Sequence, residues 1–403
     1  MSFTKPAQPV GGSGPTLSPT RTIGLAGAGL SLIAVCYGLA RFAYGLFVPE
    51  FRESFTLTAG QTGLIAAAGY ASYCVGVVAA TTGTPRFGAR AVAVAAGSLA
   101  TAGTALIAVA PTAVVLAAGV TIAGVGTGVA SPPLGHAIAL RVVPRHRDRI
   151  QTIVNAGTGL GVAISGPVAL LAEDRWRAAW LAFAAVAAAV TVWVRIHVPS
   201  AVGDAPGPAG TDEPTTRHAV FPSGALRMLG AAAAVGAATA AVWTFGQELL
   251  VTVGGHDRTL ATTAWIVLGV SGLLGAVSGE LVRRVGLQRA WTMSTAAVCA
   301  ATALLAAASR QPAVAVAASA LFGAVYIAAV TGVLLVWSTR VYPTQPATGV
   351  GLAFLLVAVG QAAAAPVLGF VADRAGLTTS FWMSAGVALA AVAVTPPARF
   401  RRT

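Results

Sequence analysis

The chain has 403 residues, of which 56% are hydrophobic and only 9% are charged. Because a soluble domain carries about 25% charged residues, this composition excludes an ordinary soluble enzyme, a disordered protein and a nucleic-acid-binding domain, and it indicates a membrane protein with many crossings. The net charge of +13 comes from 24 Arg and one Lys, which lie mostly in short gaps between apolar segments, as in loops that face an anionic membrane surface.

Twelve apolar runs follow one another along the chain, and each is about long enough to cross a bilayer as a helix. Residues 1–21, rich in Pro, Gly and Ser, are expected to form a disordered cytoplasmic tail. A Pro- and Gly-rich stretch at 198–225 predicts a solvated cytoplasmic linker between six-helix bundles at 22–197 and 226–397, and residues 398–403 predict a second cytoplasmic tail. The runs lie at 22–48, 60–82, 89–110, 112–139, 150–172, 178–197, 226–250, 261–282, 290–309, 313–338, 347–371 and 379–397.

Basic residues predict the orientation of these spans. With a cytoplasmic N-terminus, the tails and the connections on that side hold 18 basic residues and the opposite connections hold six, so both termini are expected in the cytoplasm. The halves also repeat one another, because Arg141–Pro144 recurs as Arg340–Pro343 at an offset of 199 residues and two further motifs recur at offsets of 199 and 198. Two like-oriented six-helix units are expected to enclose a site near the midplane.

One charged residue, Arg41, lies inside the first run, roughly 9 Å beyond its middle. An arginine at that depth costs about 3 kcal/mol or more unless it is paired or faces a wet cavity. It therefore either binds an anionic group of a substrate, or pairs with an acid in a gate, or extends to the outer headgroups, or caps a neighbouring helix. Aromatic and amide side chains near the middles of other runs predict, with Arg41, a cavity for a small, partly apolar molecule; they are Tyr37, Tyr44, Tyr70, Tyr73, Trp243, Gln247, Tyr326 and Gln361.

Local motifs resemble those of the major facilitator superfamily. The fifth run carries Gly157, Gly161 and Gly166-Pro167, similar to the superfamily's glycine-rich helix 5 motif, which is associated with antiporters. Glycines at such positions let helices approach closely, and the proline removes a backbone donor and permits a bend.

The connection after the second run keeps Arg86 and Gly88 of the superfamily's loop motif, and its copy after the eighth run keeps Arg284 and Gly286. Both copies lack the motif's Asp, which the resemblance assigns to a charge network of the inward-closed state. We expect these residues, with the helix 5 motif, to act in conformational change.

The stretch GLARFAYGLFVPEFRESFTLTAGQTGLIAAAGYASYCVG, spanning the first two runs, resembles the bacterial YbfB/YjiJ-like branch of the superfamily. The resemblance implies an all-α polytopic membrane protein of twelve transmembrane helices, arranged as two pseudo-symmetric six-helix bundles. It also implies secondary active transport by alternating access.

In this superfamily the first and seventh helices approach each other at the outer gate. The resemblance therefore implies that Glu248, near the outer end of the seventh run, could pair with Arg41 or take up a proton. The alternative is that Glu248 lies at the headgroup level. Glu50 and Glu53 follow Pro49 and are expected to be solvated.

Together these features predict a transporter of a small organic molecule, with proton-coupled efflux as the first interpretation. Uptake of a small organic anion is the alternative, and a non-transporting membrane sensor is a further one. Neither a catalytic residue nor a metal site nor a cofactor is predicted, because the sequence has no cluster of Cys and His and no phosphate-binding loop. The expected partners are the lipid bilayer, the substrate and protons, without nucleic acid, for a monomer in the bacterial plasma (inner) membrane.

Overall fold

In the computed structural model, which describes residues 16–172, 175–200, 222–274, 278–327 and 332–397, all regular secondary structure is helical. Within those ranges nine helices are long and apolar enough to cross a membrane. The helices are α1 (Pro19–Leu46), α2 (Val48–Phe55), α3 (Ala59–Phe87), α4 (Ala89–Ala108), α5 (Ala113–Arg141), α6 (Pro144–Ala172), α7 (Trp176–His197), α8 (Ala225–Val253), α9 (Arg258–Gly272), α10 (Ser278–Val285), α11 (Leu287–Ala308), α12 (Pro312–Ile327), α13 (Leu334–Val341), α14 (Pro346–Ala375) and α15 (Leu377–Ala393).

Each of the twelve predicted runs contains described helix, so the all-α fold is confirmed and the helices are consistent with twelve crossings. The eighth run holds α9 and α10, and the tenth holds α12 and α13. Most of the predicted linker, residues 1–15 of the first tail and the whole second tail lie outside the described residues. The short helix α2 is not among the predicted runs; Pro49 lies in its first turn, where a proline is tolerated because no N–H is needed.

The helix ends fall on two sides of the molecule. We call the side that holds the first residues of α1 and α8 the near side. The opposite side, where α1 ends at Leu46 and α8 ends at Val253, is the far side. Many large apolar side chains point outward, including Leu171, Val114 and Leu226, as expected of surfaces that face lipid.

Glycines make the sharp near-side turns between successive helices. Gly88, between α3 and α4, has a φ of 81°, and Gly286, between α10 and α11, has a φ of 82°. A residue with a side chain is disfavoured at such positive φ angles. Both copies of the loop motif therefore need a glycine, because the turn requires this backbone conformation. The equivalent geometry in the two copies agrees with the internal repeat.

Small residues let the helices pack closely. A Cβ on Gly38 of α1 would overlap the backbone of Gly161 of α6, and one on Gly128 of α5 would overlap the backbone of α3 at Tyr73. Close backbone approach is the main means of helix association in lipid, where apolar burial supplies little driving force.

On the far side the two halves are in direct contact. The carboxylate of Asp373, at the end of α14, accepts hydrogen bonds from the backbone N–H of Ala59 at 2.7 Å and of Gly60 at 2.8 Å, which begin α3. A Cβ on Gly369 would overlap the carbonyl oxygen of Ala59, and one on Gly63 would overlap that of Ala365. The helices α3 and α14 therefore close the far side between the halves.

Candidate functional site

Two small cavities lie between the halves, of 60 Å³ and 20 Å³. Arg41 lines both. The larger is otherwise lined by Tyr37, Phe42, Tyr73, Thr158, Tyr326, Ile327, Phe354, Val357 and Ala358. Tyr73 lies near the middle of α3 and Thr158 near the middle of α6, so the larger cavity is near the midplane.

A change of helix type accompanies Arg41. Residues Ala34–Phe42 form a π-helical segment inside α1. Such segments widen a helix by one residue and are frequent at functional sites. A second π segment, Leu249–Val253, lies in α8, the counterpart of α1 in the other half. Neither segment is predicted from the sequence, because no residue pattern distinguishes a π-helical segment from the surrounding α-helix.

The Arg41 guanidinium binds across the interface between the halves. Its Nη2 donates a hydrogen bond to Oε1 of Gln361 on α14 at 2.7 Å. Its Cζ lies 4.3 Å from the ring centroid of Tyr73, 5.1 Å from that of Phe42 and 5.2 Å from that of Tyr70. Cation–π contacts and one neutral acceptor stabilise the charge, and the side chain does not extend to the headgroups.

No described carboxylate neutralises Arg41, and its Nε is buried without a hydrogen-bond partner among the described residues. The amide nitrogen of Gln361 is likewise buried; its neighbouring polar group is the hydroxyl of Tyr326, and no hydrogen bond of ordinary geometry joins the two. Both orphaned groups are donors. The arrangement can therefore accept a ligand that supplies hydrogen-bond acceptors and negative charge.

A short chain of hydroxyls borders the cavity on one side. The hydroxyl of Tyr37 lies 3.3 Å from that of Tyr73 and 3.0 Å from that of Ser131. Ser131 directly precedes Pro132 and Pro133 within α5. The two prolines leave carbonyls of α5 without their helical donors.

The structure brings most of the predicted binding residues to Arg41, with one exception. Tyr44, Tyr70 and Trp243 line the smaller cavity, and Trp243 stacks on Phe42 with ring centroids 4.0 Å apart. Gln247 lines neither cavity; its amide nitrogen lies 3.4 Å from the hydroxyl of Thr262.

The implied contact between Arg41 and Glu248 is not present, and the residue that pairs with Glu248 was missed. Nη1 of Arg52 lies 2.6 Å from Oε1 of Glu248. Arg52 lies on α2, the helix that was not predicted. This helix positions the Arg52 side chain over the far end of α8. Glu248 is deeply buried on the far side, so it does not lie at an open headgroup level.

The expectation that Glu50 is solvated was also wrong. Nη2 of Arg258, at the start of α9, lies 2.6 Å from Oε1 of Glu50, whose side chain is only 16% exposed. Burial raises the pKa of Glu50, and the Arg258 guanidinium opposes that rise. Glu53 is exposed, as expected. Two ion pairs between the halves thus lie on the far side.

The glycine-rich motif of α6 contacts two helices. Gly161 packs against α1 at Ala34, and Gly166 packs against Ile266 of α9 in the other half. Ser165, the neighbour of Gly166, accepts a hydrogen bond from the indole N–H of Trp265 at 3.0 Å. The exposed Pro167 follows within the unbroken helix.

The second copy of the loop motif contains an acid, Glu280, that was not predicted to take part in it. In the second copy Arg284 donates to Glu280 at 2.7 Å, and Arg283 also pairs with Glu280. Glu280 lies one helical turn before Arg284, whereas the motif's Asp would stand directly before Arg284. The acid is therefore not found by inspecting the Asp position alone. Arg86, in the first copy, is exposed.

A resident metal site is not apparent in the part of the chain that the structure describes, which has no group of three or more His, Cys, Asp or Glu side chains able to hold an ion. The three cysteines, Cys36, Cys74 and Cys299, are free and lie in different helices.

Comparison with known proteins identifies the family. The family model described as "Uncharacterised MFS-type transporter YbfB" matches residues 33–395. A curated relative, the "Transcription regulatory protein OpdE" of Pseudomonas aeruginosa, is 29% identical over an alignment of 270 residues that covers 64% of this chain and 65% of that protein. The chain thus spans slightly less than two thirds of the length of that relative.

Solved structures have the same fold. The nucleoside transporter NupG matches with a TM-score of 0.73 and 13% identity, covering 92% of this chain and 98% of that one. A bacterial homologue of the human lysosomal transporter Spinster, described as inward-facing and occupied, matches with a TM-score of 0.73 and 16% identity over 94% and 96% of the two chains. The chain is a multi-pass membrane protein with the major facilitator fold, and it belongs to the YbfB-like family of transporters.

Proposed function

We propose that this protein is a secondary active transporter that moves a small organic anion by alternating access, with the cavity at Arg41 as its substrate site. The near side is the cytoplasmic side of the bacterial plasma membrane, because the excess of arginines lies there. The protein works as a monomer, since one chain contains both halves around the site.

One observation carries the proposal. Arg41 is a fixed cation between the halves, and its guanidinium contacts Tyr73 and Gln361 near the middles of α3 and α14. Its buried Nε–H has no partner and no acid neutralises it among the described residues. A charge held in that way in lipid marks a substrate or ion pathway. Sites of such transporters lie near the midplane at the interface of the repeats.

The far-side contacts supply the second requirement of alternating access, a closed state. Ion pairs of Arg52 with Glu248 and of Arg258 with Glu50 join the halves, and Asp373 binds the start of α3. Breaking these contacts would open the cavity to the outside. The transport cycle is then an exchange between this far-side-closed state and a far-side-open state.

Proton-coupled efflux of an amphipathic molecule is the second candidate. The Gly166-Pro167 motif and the aromatic lining favour it. Its protons would be taken up by the far-side carboxylates Glu50 and Glu248, because the cavity lining has no carboxylate of its own.

A membrane sensor that regulates gene expression is a third candidate, favoured by the name of the relative OpdE, a transcription regulatory protein. Such a protein would bind its ligand without moving it. Flux measurements separate it from both transport candidates.

The experiment is flux into proteoliposomes of radiolabelled benzoate, as an anionic probe, and of the amphipathic dye ethidium, each with and without a pH gradient. Benzoate flux that is lost in Arg41→Gln and kept in Glu248→Gln supports the first proposal. Dye flux that needs the pH gradient and is lost in Glu248→Gln supports proton-coupled efflux instead. Absence of flux for both probes contradicts transport.

A further inference from the structure

We infer that the Arg41 site takes an organic anion with a single negative charge and a compact, flat apolar body, such as an aromatic monocarboxylate, and that each transport cycle moves one net charge. The inference rests on the proposed function and deepens it. The fixed charge of the cavity determines the charge of the ligand. The unpartnered donors determine its headgroup, and the walls determine the shape of its body.

The charge of the lining sets the charge of the ligand. Arg41 is the sole ionisable cation or anion, apart from tyrosine hydroxyls, among the side chains that line the two cavities. A ligand with one negative charge makes the loaded site neutral. A dianionic ligand would leave one negative charge uncompensated in the loaded site, and a neutral ligand would leave the positive charge of Arg41 uncompensated. Either uncompensated charge is costly in lipid.

The hydrogen-bonding groups set the ligand's headgroup. Arg41 Nε and Gln361 Nε2 are buried donors without partners among the described residues. A carboxylate is an acceptor with about four lone-pair sites, and its planar geometry matches a guanidinium. A phosphate monoester carries close to two charges at neutral pH, and the lining offers no second cation.

The walls set the shape of the ligand's body. Rings of Tyr37, Phe42 and Phe354 line the larger cavity, and Thr158 is the sole aliphatic hydroxyl there. Stacked or edge-on aromatic contacts suit a flat apolar group. The larger cavity measures only 60 Å³ in this far-side-closed state, which favours a compact body of about one ring.

The same charges determine what crosses the membrane in a cycle. The loaded site is neutral, whereas the empty site keeps the charge of Arg41, because the far-side carboxylates Glu248 and Glu50 are paired with Arg52 and Arg258. The third far-side carboxylate, Asp373, is bound by the backbone at the start of α3. The return of the empty carrier therefore moves one positive charge across the field. A cytoplasm-negative potential drives the anion outward, and the limiting concentration ratio is roughly 50-fold per 100 mV.

Ligand class is tested by binding to the purified full chain in detergent. Four one-ring compounds differ in charge: benzoate, neutral benzamide, dianionic phthalate and cationic benzylamine. Benzoate is expected to raise the melting temperature and to bind at least about tenfold more tightly than the other three. Equal binding of benzamide, or tighter binding of phthalate, would overturn the inference.

Variants assign the binding to the site. Arg41→Gln should remove benzoate binding, and Arg41→Lys, which keeps the charge, should retain it in weakened form, so that lost binding is distinguished from misfolding. Arg177→Gln is the matched control, because Arg177 also stacks on an aromatic ring, that of Trp176 at 4.1 Å, but lines neither cavity. Benzoate binding that survives in Arg41→Gln contradicts the assignment.

Charge movement is tested in proteoliposomes loaded with radiolabelled benzoate, with the potential set by potassium gradients and valinomycin. Benzoate should accumulate on the positive side, and a distribution that ignores the potential overturns the claim of charge movement. Charge-selective binding without any flux contradicts the proposed transport and leaves the ligand class standing. Flux of benzamide as fast as that of benzoate contradicts the ligand class and leaves transport standing.

Discussion

Removing one partner of the ion pair between Arg52 and Glu248 should open the far side. The two side chains are 27% and 5% exposed, so Arg52→Gln leaves a carboxylate that is buried without a counter-charge. Loss of one partner of a fully buried pair costs about 3–5 kcal/mol. Because Arg52 is partly hydrated, the pair is worth less than that, and we expect about 2 kcal/mol.

That energy is lost only in the far-side-closed state, since Glu248 becomes hydrated when the far side opens. The ratio of open to closed molecules should therefore rise roughly 30-fold in Arg52→Gln. Glu248→Gln should have a smaller effect, because the remaining Arg52 can reach water. The double variant should return toward the wild-type ratio, as a double-mutant cycle requires for a direct pair.

The assay is the distance between spin labels at far-side positions in opposite halves, Val109 and Gln311, in a background in which the native cysteines are replaced. Val109 and Gln311 lie in the α4–α5 and α11–α12 turns and are exposed. A long-distance population should grow in Arg52→Gln and shrink again in the double variant. If Arg52→Gln leaves the distribution unchanged, or if the two single effects simply add, the ion pair does not control closure.

Three further predictions use the same labels or a melting curve. Gly369→Val should favour the far-side-open state and stop transport without unfolding the protein, because a Cβ at this position would overlap the carbonyl oxygen of Ala59. Gly386→Ala is the control and should change nothing, since open space surrounds Gly386. Equal behaviour of the two variants would contradict the packing argument. Burial raises the pKa of Glu50 in the closed state, so the closed state binds the proton more tightly than the open state does. The closed population should therefore be largest below the ordinary carboxyl pKa, fall as the pH rises through the raised pKa and level off above it; a response of the same size in Glu50→Gln would refute this. Gly88→Ala should cost about 1 kcal/mol at a φ of 81°, and an unchanged melting temperature would show that the turn relaxes.

Much of the fold followed from hydrophobic run length, because a lipid-embedded chain must satisfy its backbone within helices of nearly fixed length. The same reasoning singled out Arg41, since a lone charge in an apolar run has few tolerable environments. Its neighbours Tyr73 and Gln361 were found because polar side chains near span centres have to face a cavity or each other. The π-helical segment that contains Arg41 could not be predicted, because no residue pattern in the sequence marks it.

The contacts that join the two halves on the far side were less accessible to sequence reasoning. Helix α2 is short and amphipathic, so it falls below the length that identifies a span. Its own residues Glu50 and Arg52 therefore looked like solvated loop residues. Their pairing with Glu248 and Arg258 joins residues about two hundred positions apart. Only the docking of the two halves determines such contacts, and run length carries no information about docking.

The central claim, that the cavity at Arg41 is reached alternately from the two sides, has one direct test. Thr158, which lines the larger cavity, is replaced by cysteine in a background without native cysteines, and a membrane-impermeant thiol reagent is applied to either side of sealed vesicles. We predict labelling from both sides, with Gly369→Val raising the far-side rate and lowering the near-side rate. Labelling from a single side in every variant would contradict alternating access at this site.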